Sequence, residues 1–217
     1  MSPKLGIEIR DKIIETFTTY DDDQVFPEVL DIILSFIESE YGVFGYIAEN
    51  GDLICPSMTK DVWEKCQIPD KDIIFPRRDW ENSNAIWARA VIERKTIYSN
   101  EPLNPPKGHI PMYRAVVVPI MYQENIIGIL EVANKTSDYS KEDIDALEKI
   151  ASYISPILFA RLEGDKQLKE LKKLRKKKLR LDNVDKQVLH QLYLDGRYSP
   201  SLMKVLRSNS TRMSHTG

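Results

Sequence analysis

Within residues 1–163, the imidazole and thiol side chains that serve as nitrogen and sulfur metal ligands or as ready nucleophiles are few: one imidazole, His109, and two thiols, Cys55 and Cys66. The thiols lack C-x-x-C spacing, so they make neither a disulfide framework nor half of a zinc site, and three histidines in 217 residues leave little for a metal cage. A thiol reductase needs a thiolate nucleophile and a resolving partner. Here Cys55 falls in a predicted strand and Cys66 follows a short predicted helix. No Ser-His-Asp set, phosphate-binding glycine loop or zinc motif occurs, and the residues predict no catalysis. Binding chemistry is what remains. His109 stands in Asn100–Met112, NEPLNPPKGHIPM, an extended proline-rich segment, and a long loop inside a compact domain is more often a ligand-binding loop than an accident. Phe75, Trp87, Ile110, Met112 and Tyr113 are the residues expected to wall an apolar site beside it, with Cys66 close by. The alternative for His109 is a hydrogen bond that steadies the loop, and for Cys66 packing as a small apolar residue.

The elements that must position these groups are centred on Arg114–Lys135, RAVVVPIMYQENIIGILEVANK. Two nearly unbroken apolar runs, Ala115–Tyr122 and Ile126–Ala133, flank the polar break Gln123-Glu124-Asn125, which reads as a β-hairpin. Runs this apolar belong in the middle of a sheet covered on both faces. Pro119 cannot donate to a ladder and Gly128 has no side chain to pack, so each is expected at a bulge or close approach beside a cavity. Upstream, Ile9, Ile13, Ile14 and Phe17 share a helical face, and Asp21-Asp22-Asp23 interrupts it. A second helix is expected to start at Pro27 and to carry the stripe Val29, Leu30, Ile33, Leu34 and Ile37. VFGYIAENGDLICPSM gives two strands around Asn50-Gly51. Between them and the central hairpin, DVWEKC reads as a short helix, IIFP as a short strand, NAIWARAVIER as a helix and Thr96–Ser99 as a strand. Helices and strands do not alternate as βαβ units, and the fold class is α+β.

After the hairpin, Ser140 and Asp143 form a variant of the capping box, and Ile144, Leu147, Ile150, Ala151, Ile154, Ile157 and Leu158 make an amphipathic helix that Pro156 is expected to kink. Charge then changes sign. From Asp165 onward there are 14 Lys and Arg against 5 Asp and Glu, whereas the residues before it hold 17 against 28. An acidic body with a basic tail implies separate tasks for the two parts. In that tail Leu168, Leu171 and Leu174 form a narrow apolar seam, read either as a short coiled coil between two copies or as a solvated basic helix. No long uncharged apolar run occurs and MSPKLGIEIRDK lacks a signal peptide's apolar stretch, so a cytoplasmic location without a membrane contact is expected.

DIIFPRRDW, IWARAVIERKTIYSNEP, PPKGHIP, RAVVVPI, IIGILEVANK and YSKEDIDALEKIA, with the order of elements around them, resemble a GAF domain, and in particular the GAF domains of archaeal sensor kinases. The resemblance implies an antiparallel sheet with helices on one side forming a dimer surface and ligand-closing loops on the other. It implies a sensor module at 25–163, preceded by an N-terminal helix at 1–24 and followed by a basic helical linker at 164–180 and a helical tail at 181–217. Some such domains hold haem, for which His109 would be the axial ligand to iron and Cys66 a covalent anchor. Asn134-Lys135, Tyr139 and Asp143 also resemble a motif of nucleotide-binding GAF domains, where it braces the fold, so cyclic nucleotides are a second ligand class. A third reading, methionine sulfoxide reduction, lacks the cysteine pattern of that branch. In the tail, Leu181-Asp182, Asp185, Val188-Leu189, Leu192 and Asp195-Gly196-Arg197 resemble the opening of the helix-turn-helix in Lrp/AsnC regulators, which implies DNA as a partner. The expectation is a dimeric GAF sensor that binds a small molecule and signals to a partner through its terminal helices. The competing expectation is a DNA-associated transcriptional regulator.

Overall fold

The computed structural model describes residues 3–59, 65–67 and 74–194. In chain order its elements are α1 (Pro3–Thr19), α2 (Asp22–Ile37), β1 (Tyr41–Ile47), β2 (Leu53–Met58), β3 (Ile74–Phe75), a 3-10 helix (Arg77–Asn82), α3 (Ile86–Glu93), β4 (Ile97–Ser99), β5 (Ala115–Tyr122), β6 (Asn125–Ala133) and α4 (Lys141–Leu194). The strands form one antiparallel sheet in the order β3-β2-β1-β6-β5-β4, so the predicted hairpin β5–β6 lies at its centre. This is the expected α+β class. Two compact units are present, one up to Leu162 and one from Glu163.

Alternation along the strands sends side chains to two different layers. Phe44, Val116, Val118, Ile120, Leu130 and Val132 face α1, α2 and the first part of α4, where they pack with Ile13, Phe17, Leu30, Ile33, Leu147, Ile150, Ile154 and Leu158. Val117, Ile129, Leu53 and Cys55 face the other way, against Trp80 and the α3 residues Ala90 and Val91. Both faces are therefore covered, which explains why β5 and β6 read as continuous apolar runs rather than as alternating ones.

Three local expectations come out differently. Helix α2 begins at Asp22, not at Pro27, which lies inside it. The apolar stripe already starts at Val25 and Phe26, both buried, and packing them outweighs the hydrogen bond that proline removes. Asn50-Gly51 closes a three-residue loop rather than a two-residue one: Ala48 N–H donates to Asp52 O, Gly51 N–H donates to Ala48 O, and Gly51 takes φ 87°. Gly128 marks a close approach, but to helix and backbone rather than to a cavity. A Cβ there would lie 2.5 Å from Gly45 O and 3.2 Å from Leu158 Cδ2, so its absence lets α4 and β1 close over β6.

Pro119 pairs with Ile129 one residue before the register shift between Ile120 and Met121. On its other side β4 reaches only from Ala115 to Val117, so the missing N–H costs no ladder bond. In α4, Ser140 Oγ accepts from Asp143 N–H at 3.2 Å while Asp143 Oδ2 accepts from Ser140 N–H at 2.9 Å, the reciprocal pair expected of a capping box. The helix runs on through Pro156, whose ring leaves the Ser152 carbonyl without its donor. Ser152 and Pro156 are both exposed, so water can take that bond.

In the second unit the basic stretch belongs to the same helix, which continues to Leu194, with Leu168, Leu171 and Leu174 exposed. The expected helix-turn-helix lies outside the described residues from Asp195 onward, as do residues 61–64 of the expected short helix DVWEKC. Among the described residues no helix is long and apolar enough to cross a membrane.

Candidate functional site

The face of the sheet away from α1, α2 and α4 is roofed by the segment between β4 and β5. That segment is pinned at both ends. At its start, Asn100 Nδ2 donates to Tyr139 O at 3.1 Å and Asn100 Oδ1 accepts from Tyr139 N–H at 2.8 Å. At its end, Asn134 Oδ1 accepts from Tyr113 N–H at 2.8 Å and Asn134 Nδ2 donates to Pro111 O at 2.9 Å. Leu103 N–H donates to Met112 O across the loop at 2.8 Å. A turn at its tip is closed by His109 N–H donating to Pro106 O, with Gly108 at φ 92°. Asn134 itself sits at φ 57°, a left-handed conformation that asparagine tolerates better than most side chains.

The predicted site residues fall into two neighbouring groups. Cys66, Ile110 and Met112 pack with Tyr41, Leu103, Ala115 and Ala133. Phe75 and Trp87 belong to the adjoining cluster, their ring centroids 5.1 Å apart, and Ile86 touches both groups. Tyr113 is 53% exposed and joins neither group. His109 is half-buried, and its Nδ1 lies 2.8 Å from Ile110 O. A carbonyl only accepts, so Nδ1 carries a proton, and in the neutral ring this tautomer leaves the lone pair on Nε2. The loop and the Cys66 segment adjoin, because Gln67 N–H donates to Gly108 O at 2.7 Å. Among the described residues no cluster of three or more His, Cys, Asp or Glu could hold a metal ion.

Between the two apolar groups lies a carboxylate. Glu131 on β6 pairs with Val43 of β1 and Val117 of β5 and shares their face. Its side chain is buried, and burial pushes its pKa up to about 7. Burial and the nearby Glu131 charge likewise push the Cys55 thiol far up, so it is protonated at neutral pH and unsuited to act as a nucleophile. Both cysteines are free thiols.

Residues 19–158 match the sequence profile of the GAF domain family. The chain belongs to the GAF family. Over 117 residues, half of this chain, it is 28% identical to the methyl sulfide methyltransferase-associated sensor of Methanosarcina acetivorans, an archaeon, and this alignment takes only 11% of that sensor's length. Its fold is similar to the GAF domain of a phosphoenolpyruvate-protein phosphotransferase from Coxiella burnetii, with TM-score 0.57 and 12% identity over 76% of this chain and 99% of that one. The corresponding domain from Acinetobacter gives TM-score 0.54 and 13% identity over 74% and 95%. The free methionine-R-sulfoxide reductase of Neisseria meningitidis, solved with its substrate, gives TM-score 0.52 and 16% identity over 77% and 95%. GAF folds thus serve both sensors and enzymes.

In this GAF domain the Asn134-Lys135 pair is a brace. Lys135 Nζ meets Asp143 Oδ1 at 2.8 Å, which ties the end of β6 to the first turn of α4. Burial alone would raise the Asp143 carboxyl, but the hydrogen bonds from Lys135 and Ser140 outweigh it and hold it below the usual range. Tyr139 completes the junction through its hydroxyl, 2.8 Å from Ser39 Oγ. Three further residues belong to this side of the sheet. Trp80 is buried at right angles to Trp87, 6.1 Å away, with its indole N–H on Phe75 O, but its segment has no periodicity to announce it. Asn134 reads in the sequence as part of a motif, and only the fold makes it the loop's anchor. Glu131 was absorbed into an apolar run, although a single charge within such a run was the available signal. A separate groove of about 440 Å³, lined by Glu8, Lys12, Glu28, Asp31 and Phe36 among others, lies between α1 and α2. It belongs to the helical layer, and its mixed, open walls carry no argument for a ligand.

Proposed function

We propose that this GAF domain is a sensor without catalysis of its own, which binds a small molecule in the chamber beneath the Asn100–Tyr113 loop and passes occupancy to α4. The observation that carries the reading is the bonding of that loop: the ligand-facing segment ends on Asn134 and begins on Tyr139, and Lys135–Asp143 between them holds the first turn of α4. A ligand that favours one position of the loop therefore favours one setting of the helix start, provided its affinity differs between the two. Farther along α4, Ser155 Oγ donates to Met121 O at 2.6 Å, Phe159 stacks on Tyr122 at 3.9 Å, and Arg161 donates to Phe17 O and Tyr20 O at the end of α1. Those contacts couple α4 to the sheet and to α1 within the first unit.

The donor set fits haem. His109 presents Nε2 with its tautomer fixed by Ile110 O, an arrangement that suits an imidazole for metal ligation. Cys66, from the segment hydrogen-bonded to the His109 turn, would be the anchor for a porphyrin edge, and Phe75, Trp87, Ile110 and Met112 would supply apolar contact. Bound haem would supply an iron centre responsive to small gaseous ligands or to redox state. The similarity to a sensor from Methanosarcina supports the signalling part of this reading. Titration of haemin into the full chain, followed by absorbance, tests it. The expected result is a saturable Soret band that shifts and weakens about tenfold in affinity in His109→Ala. A wild-type protein that gives no bound-state band removes haem, and identical spectra for wild type and His109→Ala remove the imidazole as ligand.

A further inference from the structure

Glu131 is the one charged side chain that β6 places on the chamber face. It stands at the seam between the two apolar groups, flanked across the sheet by Val43 and Val117 and along its own strand by Ile129 and Ala133. Among the described residues no donor hydrogen-bonds to its carboxylate and no cation pairs with it. The contrast with its neighbour Asn134, whose side chain has two backbone partners, shows that this strand end can satisfy a polar group where the fold requires it. Among the described residues no buried side-chain oxygen is left without a partner, so the Glu131 carboxylate, in a residue 8% exposed, opens onto space at this face, and a carboxylate so placed among apolar side chains is explained by what enters that space.

We infer that Glu131 is the polar anchor of the chamber's ligand, and that this ligand brings a positive centre to the sheet floor, either the ferric iron of a haem or an organic ammonium. The inference rests on the sensor-chamber reading above. It adds a charge requirement: where this carboxyl is ionised among valine, isoleucine and alanine it repels phosphate and carboxylate groups, so a ligand that leads with an anion binds only at the cost of protonating it. Cyclic nucleotides are therefore the disfavoured class unless they present the base to Glu131. A cation loses its hydration on entry and recovers the lost interaction from the carboxylate, which in turn loses its own burial penalty.

Binding to the full chain, wild type against Glu131→Gln and Glu131→Asp, tests the assignment with two pairs of probes. The first pair is ferric and ferrous haem, which share a ring and an axial donor but differ by one charge. The second is 2-phenylethylamine and 2-phenylethanol, which differ in the ammonium. Wild type is expected to prefer the charged member of at least one pair, with the haem pair identifying the iron source and the other pair the ammonium source. Glu131→Gln should lower that preference about tenfold, read for haem as a rise in midpoint potential of about 59 mV, while Glu131→Asp keeps most of it. Without ligand, Glu131→Gln should melt no lower than wild type. A preference unchanged in Glu131→Gln, or a ligand-free Glu131→Gln protein less stable than wild type, overturns the anchor role and leaves the chamber standing. Failure of all four probes to bind wild type overturns the chamber reading itself.

Discussion

At the scale of single residues, the loop carries an imidazole and the sheet face beneath it a buried carboxyl. His109 donates its Nδ1 proton to Ile110 O, which in the neutral ring leaves the lone pair on Nε2. Glu131 has a pKa near 7 because burial penalises its charged form, and the titratable groups that sense it are the Cys55 thiol on β2 and the Tyr139 hydroxyl before α4, both raised mainly by burial. Since the folded pKa of Glu131 lies above its unfolded value, the native state binds more protons between pH 4.5 and about 7. Stability of the ligand-free protein is thus greatest below that window and falls as pH rises through it, by about 3 kcal/mol at most. Thermal melts from pH 5 to 8 should show this decline in wild type and a flatter profile in Glu131→Gln. A profile equally steep in both would place the titration elsewhere.

At the scale of elements, the capping box, the α4 stripe and the central hairpin were legible because each is a local pattern whose physics is complete within a few residues. Ser140 and Asp143 bond each other, and the apolar runs of β5 and β6 pair with each other. Replacing Ser140 by alanine should destabilise the domain by about 1 kcal/mol, as loss of an N-cap does, measured by denaturant unfolding. Gly128→Ala should be far worse, about 3 kcal/mol or more, because the new methyl meets the Gly45 carbonyl rather than a side chain that can turn away. What stayed illegible depends on partners distant in sequence. Nothing around Asn134 announces that it will hold Pro111 and Tyr113, and nothing around Gly128 announces Leu158 and Gly45 as its neighbours. Proline is a strong local signal for a helix start, but burial of Val25 and Phe26 extends α2 back to Asp22. Asn134→Gly and Asn134→Ala separate the two roles of that residue. Both lose the loop's anchors and should weaken ligand binding, but alanine also strains the left-handed backbone and should melt lower than glycine.

At the scale of the molecule, the sheet divides labour between its faces: one carries α1, α2 and α4, and the other carries the loop, the aromatic group and Glu131. The resemblance seen in the sequence led to this division, but it did not identify the polar group on the floor. In the second unit, Leu168, Leu171 and Leu174 stay exposed among lysines, and we expect two copies to pair along that seam. Because like charges flank it, pairing should strengthen as salt screens them, and Leu171→Glu should abolish it; sedimentation of the full chain at low and high salt checks both. The central claim, however, is that the face opposite α1 and α2 encloses a ligand. Native mass spectrometry of the full chain, as purified and after addition of haemin, tests that most directly. A saturable adduct in wild type that is lost when Val117→Trp fills the floor, with the fold retained by circular dichroism, is the predicted result. A wild-type protein that carries no adduct under either condition, or an adduct indifferent to Val117→Trp, would contradict it.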